Sequence, residues 1–352
     1  MKSIDIYRII KKTIYNFLFR LEFKSYINYK KEPKNSIIDK KNYFFVLDLS
    51  SFTPNFDFTK NIIFLAIKSL YKKVHIIIMP ELDNVNNLLV KEKKINDPNY
   101  FRRINIVYPL INMIPNFKPN IYFPSTREEA YDLLKNKNVT KLTNPFKSIE
   151  RNFIRESIFF RFYKKKNFLP KYEPNLTTLD LVKKKIKYKE SDKIVSISLR
   201  NSSYNKENNS NKESWKKIAK LLKKEGFKII IIREFEDFFE NENDEFIYYD
   251  HAIFDPQIRL SIYKLSFLNL GVCNGPFNSF IFYSNCSFLC FKGDLIKKED
   301  YLRRYGQKDL NIDYQLPFFS KNQKILYVED SFENILKEVN IFLKDNEFSE
   351  LS

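Results

Sequence analysis

The chain has 352 residues, which is enough for about two domains with separate cores. With 5 glycines and 2 histidines, it lacks the residues for a P-loop, a G-x-G-x-x-G dinucleotide fingerprint or a histidine-rich metal site. Lysine and arginine outnumber aspartate and glutamate by 61 to 43, a net charge of +18. This excess indicates either an anionic partner or a composition biased toward AT-rich codons. Because the basic residues are spread along the chain, we expect no nucleic-acid partner.

The first 30 residues predict an amphipathic helix. Polar side chains, all but one of them basic, recur every four residues at Arg8, Lys12, Asn16, Arg20 and Lys24, with apolar residues between them. Either this helix packs on its own domain, or residues 1–25 make a peripheral contact with an anionic membrane surface.

The same chain contains no signal peptide and no apolar stretch of about 18 residues that would span a bilayer. Its 3 cysteines form no C-x-x-C pair and are interpreted as reduced thiols. We therefore expect a cytoplasmic protein, or one bound to the inner face of the cytoplasmic membrane.

The first predicted domain covers residues 40–170. A continuous apolar run at 43–47 predicts a buried strand, a helix follows to about residue 71, and a second buried strand runs from Val74 to Met79. This is a β-α-β unit of the kind that forms parallel sheets. A short strand at 121–124 precedes a further helix.

The second predicted domain covers residues 175–352 and begins after the prolines at 170 and 174. Its predicted strands are 194–199, 227–232, 246–249, 267–272 and, as the last, 287–291. Ser210 and Glu213 predict a capping box for the helix after the first of these strands, and Asp255-Pro256 predicts the start of another helix. The alternation of strands and helices indicates two doubly wound, Rossmann-like parallel sheets that face a cleft.

Ligands of such sheets bind at the carboxyl ends of the strands, so the residues after each strand are the candidates for a site. Arg200 follows the first strand of the second domain, where a guanidinium could bind a diphosphate through two hydrogen bonds. The turn after strand 267–272 begins a helix and offers Asn274, Gly275, Pro276 and Ser279 to an anion. For each of these positions a purely structural role is the alternative: a surface arginine, or a turn in which glycine has a positive φ.

Further candidates have equally simple structural alternatives. Arg259 lies on the helix before strand 267–272, where it is either a donor ligand or part of a solvated face. Glu234 ends strand 227–232, either in the site or in an acidic loop. Asp48 and Asp57 flank the first β-to-α loop, where one of them could act as a general base or simply complement a helix dipole. His251 is either a base or a structural histidine.

No D-x-D pair occurs in the sequence, so we expect no metal at the site. A bound diphosphate would then be neutralised by arginine and helix N-termini.

The segments 194–200, 227–233, 259–263 and 269–276 resemble the C-terminal half of GT-B-fold glycosyltransferases. The similarity extends to a bacterial group distantly related to heptosyltransferases and to fucosyltransferases of the O-fucosyltransferase and nodulation types. The resemblance implies that Arg200 contacts the donor diphosphate and that Asn274 and Gly275 lie under the nucleotide. Ser198 stands where the fucosyltransferases have histidine, and Asn-Gly-Pro replaces the Gly-Thr turn of heptosyltransferases.

The resemblance implies a hexosyl- or heptosyltransferase-like enzyme, with 40–170 as acceptor domain and 175–352 as donor domain. Its substrates would be a nucleotide-sugar donor and a glycan or lipid-linked acceptor used in cell-surface polysaccharide synthesis, without a cofactor. Asp57 or Asp48 would be the catalytic base if the reaction inverts. The alternative is a non-catalytic glycan-binding or scaffold protein with the same fold. A sugar-nucleotide epimerase is less compatible with the few cleft histidines.

Overall fold

The computed structural model describes residues 42–48, 58–79, 109–135, 159–202, 206–234, 237, 245–291 and 315–351. Two compact units divide the chain. Residues 159–170 belong to the second of these units. The domain boundaries expected from the sequence, 40–170 and 175–352, stay predictions. The expected helix in residues 1–30 lies outside the described residues. In the described part no helix is long and apolar enough to cross a membrane.

The described part of the first unit contains a parallel sheet of order β1-β2-β3. Its strands are β1 (Asn42–Asp48), β2 (Lys73–Met79) and β3 (Asn120–Tyr122), and helix α1 (Phe58–Ser69) joins the first two. Helix α2 (Arg127–Lys135) packs on the sheet through Ala130, Tyr131 and Leu134. The β-α-β unit expected from the apolar runs is therefore confirmed.

The second unit contains a parallel sheet of six strands. These are β4 (Ile194–Ser198), β5 (Lys228–Ile232), β6 (Ile247–Tyr248), β7 (Leu268–Val272), β8 (Phe288–Phe291) and β9 (Gln323–Leu326). Their spatial order is β6-β5-β4-β7-β8-β9. The chain thus winds outward from β4 in one direction and from β7 in the other, as in doubly wound folds.

Helices connect and cover these strands. They are α3 (Leu176–Lys185), α4 (Lys212–Lys224), α5 (His251–Phe254), α6 (Pro256–Leu265), α7 (Gly275–Ile281) and α8 (Phe332–Asp345). The start of α6 agrees with the prediction, since the Asp255 carboxylate accepts the Gln257 N–H at 2.7 Å. Taking 287–291 as the last strand was wrong, because β9 and α8 follow it.

The side of the sheet under α4 and α8 is apolar. Val195 and Ile197 of β4, and Leu199 directly after it, share one hydrophobic cluster with Trp215 of α4 and Phe342 of α8. Since side chains of a strand alternate between its two faces, the intervening residues of β4 point the other way.

The opposite side of β4 carries serines, and it is packed against α6 and α7. Ser196 Oγ donates to Asn269 Oδ1 of β7 at 2.6 Å, and the Asn269 amide donates to the Tyr263 carbonyl oxygen at 3.0 Å. Ser198 Oγ lies 2.8 Å from the Tyr263 hydroxyl oxygen. These buried side-chain hydrogen bonds therefore attach α6 to the two central strands, β4 and β7.

Candidate anion-binding site

The centre of the six-stranded sheet is the point at which the winding direction changes. β4 and β7 are adjacent and parallel, with Ser198 opposite Gly271 near their carboxyl ends. The connections leaving these two strands go to opposite edges of the sheet, which opens a crevice between them in folds of this kind. The residues directly after β4 and β7 are Leu199-Arg200 and Cys273-Asn274. Both predicted segments therefore lie at this crossover.

Arg200 is half-buried and held by its loop. Its backbone N–H donates to Ser210 Oγ at 2.8 Å, and its carbonyl accepts the Ser210 N–H at 2.9 Å. One guanidinium nitrogen lies 3.2 Å from Asn209 Oδ1. Asn209 in turn bonds Asn201, and Asn201 bonds the buried carboxylate of Asp237. This amide chain orders the arginine at the end of β4.

The role given to Ser210 by sequence reasoning needs correction. Ser210 does not cap α4, because its hydroxyl is engaged by Arg200. The cap is Asn211, whose Oδ1 accepts the Ser214 N–H at 3.2 Å. Asp330 accepts both the Asn211 N–H at 2.8 Å and the Trp215 indole N–H at 2.7 Å. A protein carboxylate therefore already occupies the start of α4, where a dinucleotide-binding fold would place its phosphates.

Arg259 is buried, with 4% of its surface exposed, so the alternative of a solvated helix face was wrong. Its Nε donates to the Ala252 carbonyl at 2.8 Å. Among the residues that the structure describes, no carboxylate forms an ion pair with it. A buried guanidinium without a counter-charge is costly, and a bound anion would remove that cost.

Tyr263 lies one helical turn after Arg259 on α6 and is fully buried. Burial raises the pKa of its hydroxyl above the ordinary value, while the positive charge of Arg259 and the hydrogen bond with Ser198 act in the opposite direction. The hydroxyl is therefore protonated at neutral pH, and its hydrogen bond with Ser198 joins α6 to the end of β4.

Asn274 begins α7 as expected. Its Oδ1 accepts the Phe277 N–H at 2.7 Å, and the side-chain nitrogen Nδ2 is buried with no hydrogen-bond partner among the described residues. Only 5% of the residue is exposed. An unpaired buried donor costs free energy, and a ligand oxygen is one group that would satisfy it.

Gly275 and Pro276 form the first turn of α7, and Ser279 lies in the same helix. Gly275 is exposed, and the glycine with positive φ in the described chain is Gly226, so a left-handed turn does not explain Gly275. Gly271 on β7 has a different constraint. A Cβ built there would lie 2.8 Å from the Ser198 carbonyl oxygen, which shows how closely β4 and β7 approach at the crossover.

For the remaining candidate residues, fewer contacts relate their side chains to the crossover. Glu234 follows β5, is half-buried, and is near enough to Tyr263 to affect its pKa. His251 is exposed, with its ring centroid 6.0 Å from that of Tyr249. Asp48 is the last residue of β1 in the first unit, and Asp57 lies outside the described residues. The catalytic assignments of these two aspartates stay predictions.

Sequence reasoning noted Ser198 only as the residue in place of a fucosyltransferase histidine, and it gave Tyr263 and Asn269 no role in this region. The available signal was the spacing of Ser196 and Ser198 within a strand that otherwise reads as apolar. Among the described residues, no group of three or more His, Cys, Asp or Glu side chains is arranged to hold a metal ion.

A cavity of about 250 Å³ lies on the other face, beside the start of α4. Ile197, Leu199, Trp215 and Tyr248 line it, with Lys212 among the polar residues around it. Since these apolar residues belong to the main core, we do not assign the cavity to the arginine site.

No protein-family model matches the sequence, and no curated protein matches it. Solved structures do match. E. coli ADP-heptose LPS heptosyltransferase II has a TM-score of 0.50 at 10% identity, over 87% of this chain and 99% of that one. A glycosyl transferase of family 9 from Veillonella parvula DSM 2008 has a TM-score of 0.46 at 11% identity, over 88% and 90%. The wall teichoic acid polymerase TagF gives 0.32 at 9%, over 96% and 89%.

At these identities the similarity to the heptosyltransferase concerns the fold. It confirms the GT-B-like α/β architecture expected from the sequence, with parallel sheets and covering helices. Activity, donor and acceptor do not follow from a shared fold.

Proposed function

We propose that the protein is a glycosyltransferase that moves a sugar from a nucleotide-sugar donor to a cell-surface glycan or a lipid-linked precursor. The observation that carries this proposal is the buried Arg259, which has no carboxylate partner among the described residues. It lies on α6, the helix whose Tyr263 hydroxyl reaches Ser198 at the end of β4, and Arg200 follows that strand. The heptosyltransferase with the same fold is named for a sugar attached to a nucleoside diphosphate. A diphosphate is an anion that two guanidinium groups recognise well.

The chemistry follows from the growth of charge during the reaction. When the bond from the sugar to the diphosphate breaks, negative charge accumulates on the leaving oxygen. Positive groups fixed in place before the reaction stabilise that charge without reorganising. Arg200, Arg259 and the Asn274 amide would supply this stabilisation, so the proposed reaction needs no metal ion. The acceptor hydroxyl would lose its proton to Asp57 or Asp48 if the transfer inverts the anomeric centre.

The donor half of the proposal is tested by calorimetric titration of the purified chain with GDP-, UDP- and ADP-sugars. We expect one of these nucleotide classes to bind and Arg200→Ala and Arg259→Met to weaken that binding. Lys216→Ala is the matched control, since it removes one positive charge from the exposed side of α4. No binding of any nucleotide sugar by the wild-type chain would refute the proposal.

Turnover distinguishes an enzyme from a binding protein. Transfer or slow donor hydrolysis that is lost in Arg200→Ala, with an unchanged melting temperature and no effect of EDTA, is the expected result. Binding without turnover in any donor screen would instead favour the non-catalytic glycan-binding protein.

We further propose that residues 1–25 place the enzyme at the membrane where lipid-linked acceptors reside. Flotation of the full chain with anionic liposomes, compared with a chain lacking residues 1–25, tests this contact. Equal flotation of the two chains would exclude it.

A further inference from the structure

The cavity beside the start of α4 has room for a small molecule. Its volume is about 250 Å³. Since an apolar cavity of about 150 Å³ is enough to bind benzene, this one accommodates roughly two fused rings. Glu213 and Lys216 are exposed residues and belong to its lining, so the cavity opens to solvent. A ligand can therefore enter it without unfolding of the core.

Two aromatic side chains in the wall are held by partners outside the lining that the described residues form. The Trp215 indole N–H donates to Asp330 Oδ2 at 2.7 Å. The guanidinium carbon of Arg233 lies 4.9 Å from the centroid of the Tyr248 ring, and Arg233 is itself paired with Asp250 at 2.6 Å. These contacts keep both rings from turning inward to fill the space. The cavity is therefore preformed, and binding a ligand there requires little reorganisation.

The chemistry of the lining fits a flat ring with a polar edge. The aromatic ring of Phe246 and the apolar side chain of Ile231 line the cavity together with the two held rings. Such a wall packs well against the faces of an aromatic ligand. The rim carries hydrogen-bond donors and acceptors, which are the ammonium groups of Lys212 and Lys216 and the carboxylates of Glu213 and Glu245. A heteroaromatic ring with an N–H donor and a ring-nitrogen acceptor matches both kinds of group.

We propose that this cavity is a binding site for a planar heteroaromatic molecule of two fused rings, separate from the anion-binding crossover. The cavity lies on the face of the sheet under α4, whereas Arg259 and Asn274 belong to α6 and the start of α7 on the opposite face. The inference goes beyond the proposed function and does not require it.

The fluorescence of Trp215 tests this site, because the chain has 1 tryptophan and that residue lines the cavity. Benzimidazole is the probe, since it has two fused rings, one N–H donor and one ring-nitrogen acceptor. We expect a saturable change in tryptophan emission with a dissociation constant on the order of 1 mM or tighter. Cyclohexanol, which is not planar, should leave the emission unchanged. An emission unaffected by benzimidazole would overturn the proposal.

Phe246→Leu removes one ring from the wall, and Phe227→Leu is its matched control. The two residues are 8% and 6% exposed and share the same hydrophobic cluster, but Phe227 is not among the described residues that line the cavity. Both variants should melt somewhat below the wild type. The dissociation constant of benzimidazole should rise about threefold to tenfold in Phe246→Leu and stay at the wild-type value in Phe227→Leu. Unchanged affinity in Phe246→Leu would mean that the probe binds elsewhere and would overturn the site.

Arg259→Met distinguishes this site from the crossover. Benzimidazole should bind that variant with the wild-type dissociation constant, and loss of binding there would place the probe at the crossover and overturn a separate site. A wild-type chain that binds benzimidazole at the cavity but no nucleotide sugar would refute the proposed function and leave this inference standing.

Discussion

The two faces of the six-stranded sheet differ in polarity: one is packed with apolar side chains, and the other carries hydrogen-bonded serines. On the face under α4 and α8, β4 contributes Val195 and Ile197 to a hydrophobic cluster that includes Trp215. On the other face the same strand contributes Ser196 and Ser198, each hydrogen-bonded to a buried partner. The apolar face supplies stability through area removed from water, and the polar face fixes orientation at the carboxyl end of the strands.

The comparison predicts that substitutions on the apolar face cost stability and spare ligand affinity. Ile197→Ala removes most of a buried side chain from the cluster and adds to the empty space beside it, and we expect it to lower the free energy of unfolding by about 2–5 kcal/mol. Urea denaturation measures the loss. The folded fraction should bind nucleotide sugar with the wild-type dissociation constant, and a changed constant would show that the two faces are not separable.

Gly271→Ala probes the closest approach of the two central strands. The new Cβ would lie 2.8 Å from the Ser198 carbonyl oxygen and 3.2 Å from the Ser198 Cβ, so the backbone has to shift. We expect a loss of about 1–3 kcal/mol in unfolding free energy, together with weaker donor binding. Gly275→Ala is the control, since that glycine is exposed and lacks a positive φ, and its effect should stay within about 0.5 kcal/mol.

Asn274→Asp distinguishes the roles of the acceptor oxygen and the donor nitrogen in one side chain. The carboxylate still accepts the Phe277 N–H, so the cap of α7 is preserved. The unpartnered donor Nδ2 disappears, and a negative charge replaces it. Donor affinity should fall roughly tenfold or more, which calorimetry measures, and the buried charge should also lower the melting temperature. Unimpaired binding would remove Asn274 from the site.

The alkylation rates of the three cysteines report how deeply each thiol is buried, and we expect the effect of bound ligand on them to be the smallest of those predicted. Cys273 lies half-buried at the carboxyl edge of β7, whereas Cys286 and Cys290 are buried. Burial raises the pKa of the Cys286 thiol to about 11, so its reactive thiolate is scarce near neutral pH. Iodoacetamide at pH 8 should label Cys273 first, as seen by mass spectrometry, and bound nucleotide sugar should slow that labelling. Labelling of Cys286 first would contradict the packing.

Much of the fold was predictable because its strands are short apolar runs bounded by clear turns. Residues 43–47, 74–79 and 194–199 were found within one residue of the structure at each end. The strand Gln323–Leu326 was missed because it is four residues long, begins with glutamine and lysine, and contains two apolar residues. Its pairing with β8 defines it as a strand. Register and pairing of that kind depend on tertiary contacts rather than on local pattern.

The residues of the candidate site likewise divide into those that the sequence predicted and those that it did not. Arg200 and Asn274 were found because each directly follows a strand, and the ends of parallel strands share one edge of the sheet. Arg259 was ambiguous because helical spacing does not reveal which face is covered. Tyr263 and Ser198 had no signal as a pair, since 65 residues separate the two hydroxyls that lie 2.8 Å apart.

The sequence by itself determined the alternation of strands and helices, and with it the class of fold, because hydrophobic periodicity is local. Only the tertiary structure decided the strand order, the burial of Arg259 without a carboxylate partner among the described residues and the bond between Ser198 and Tyr263. These features depend on which distant segments meet in the folded chain, and no local pattern of side chains encodes that meeting.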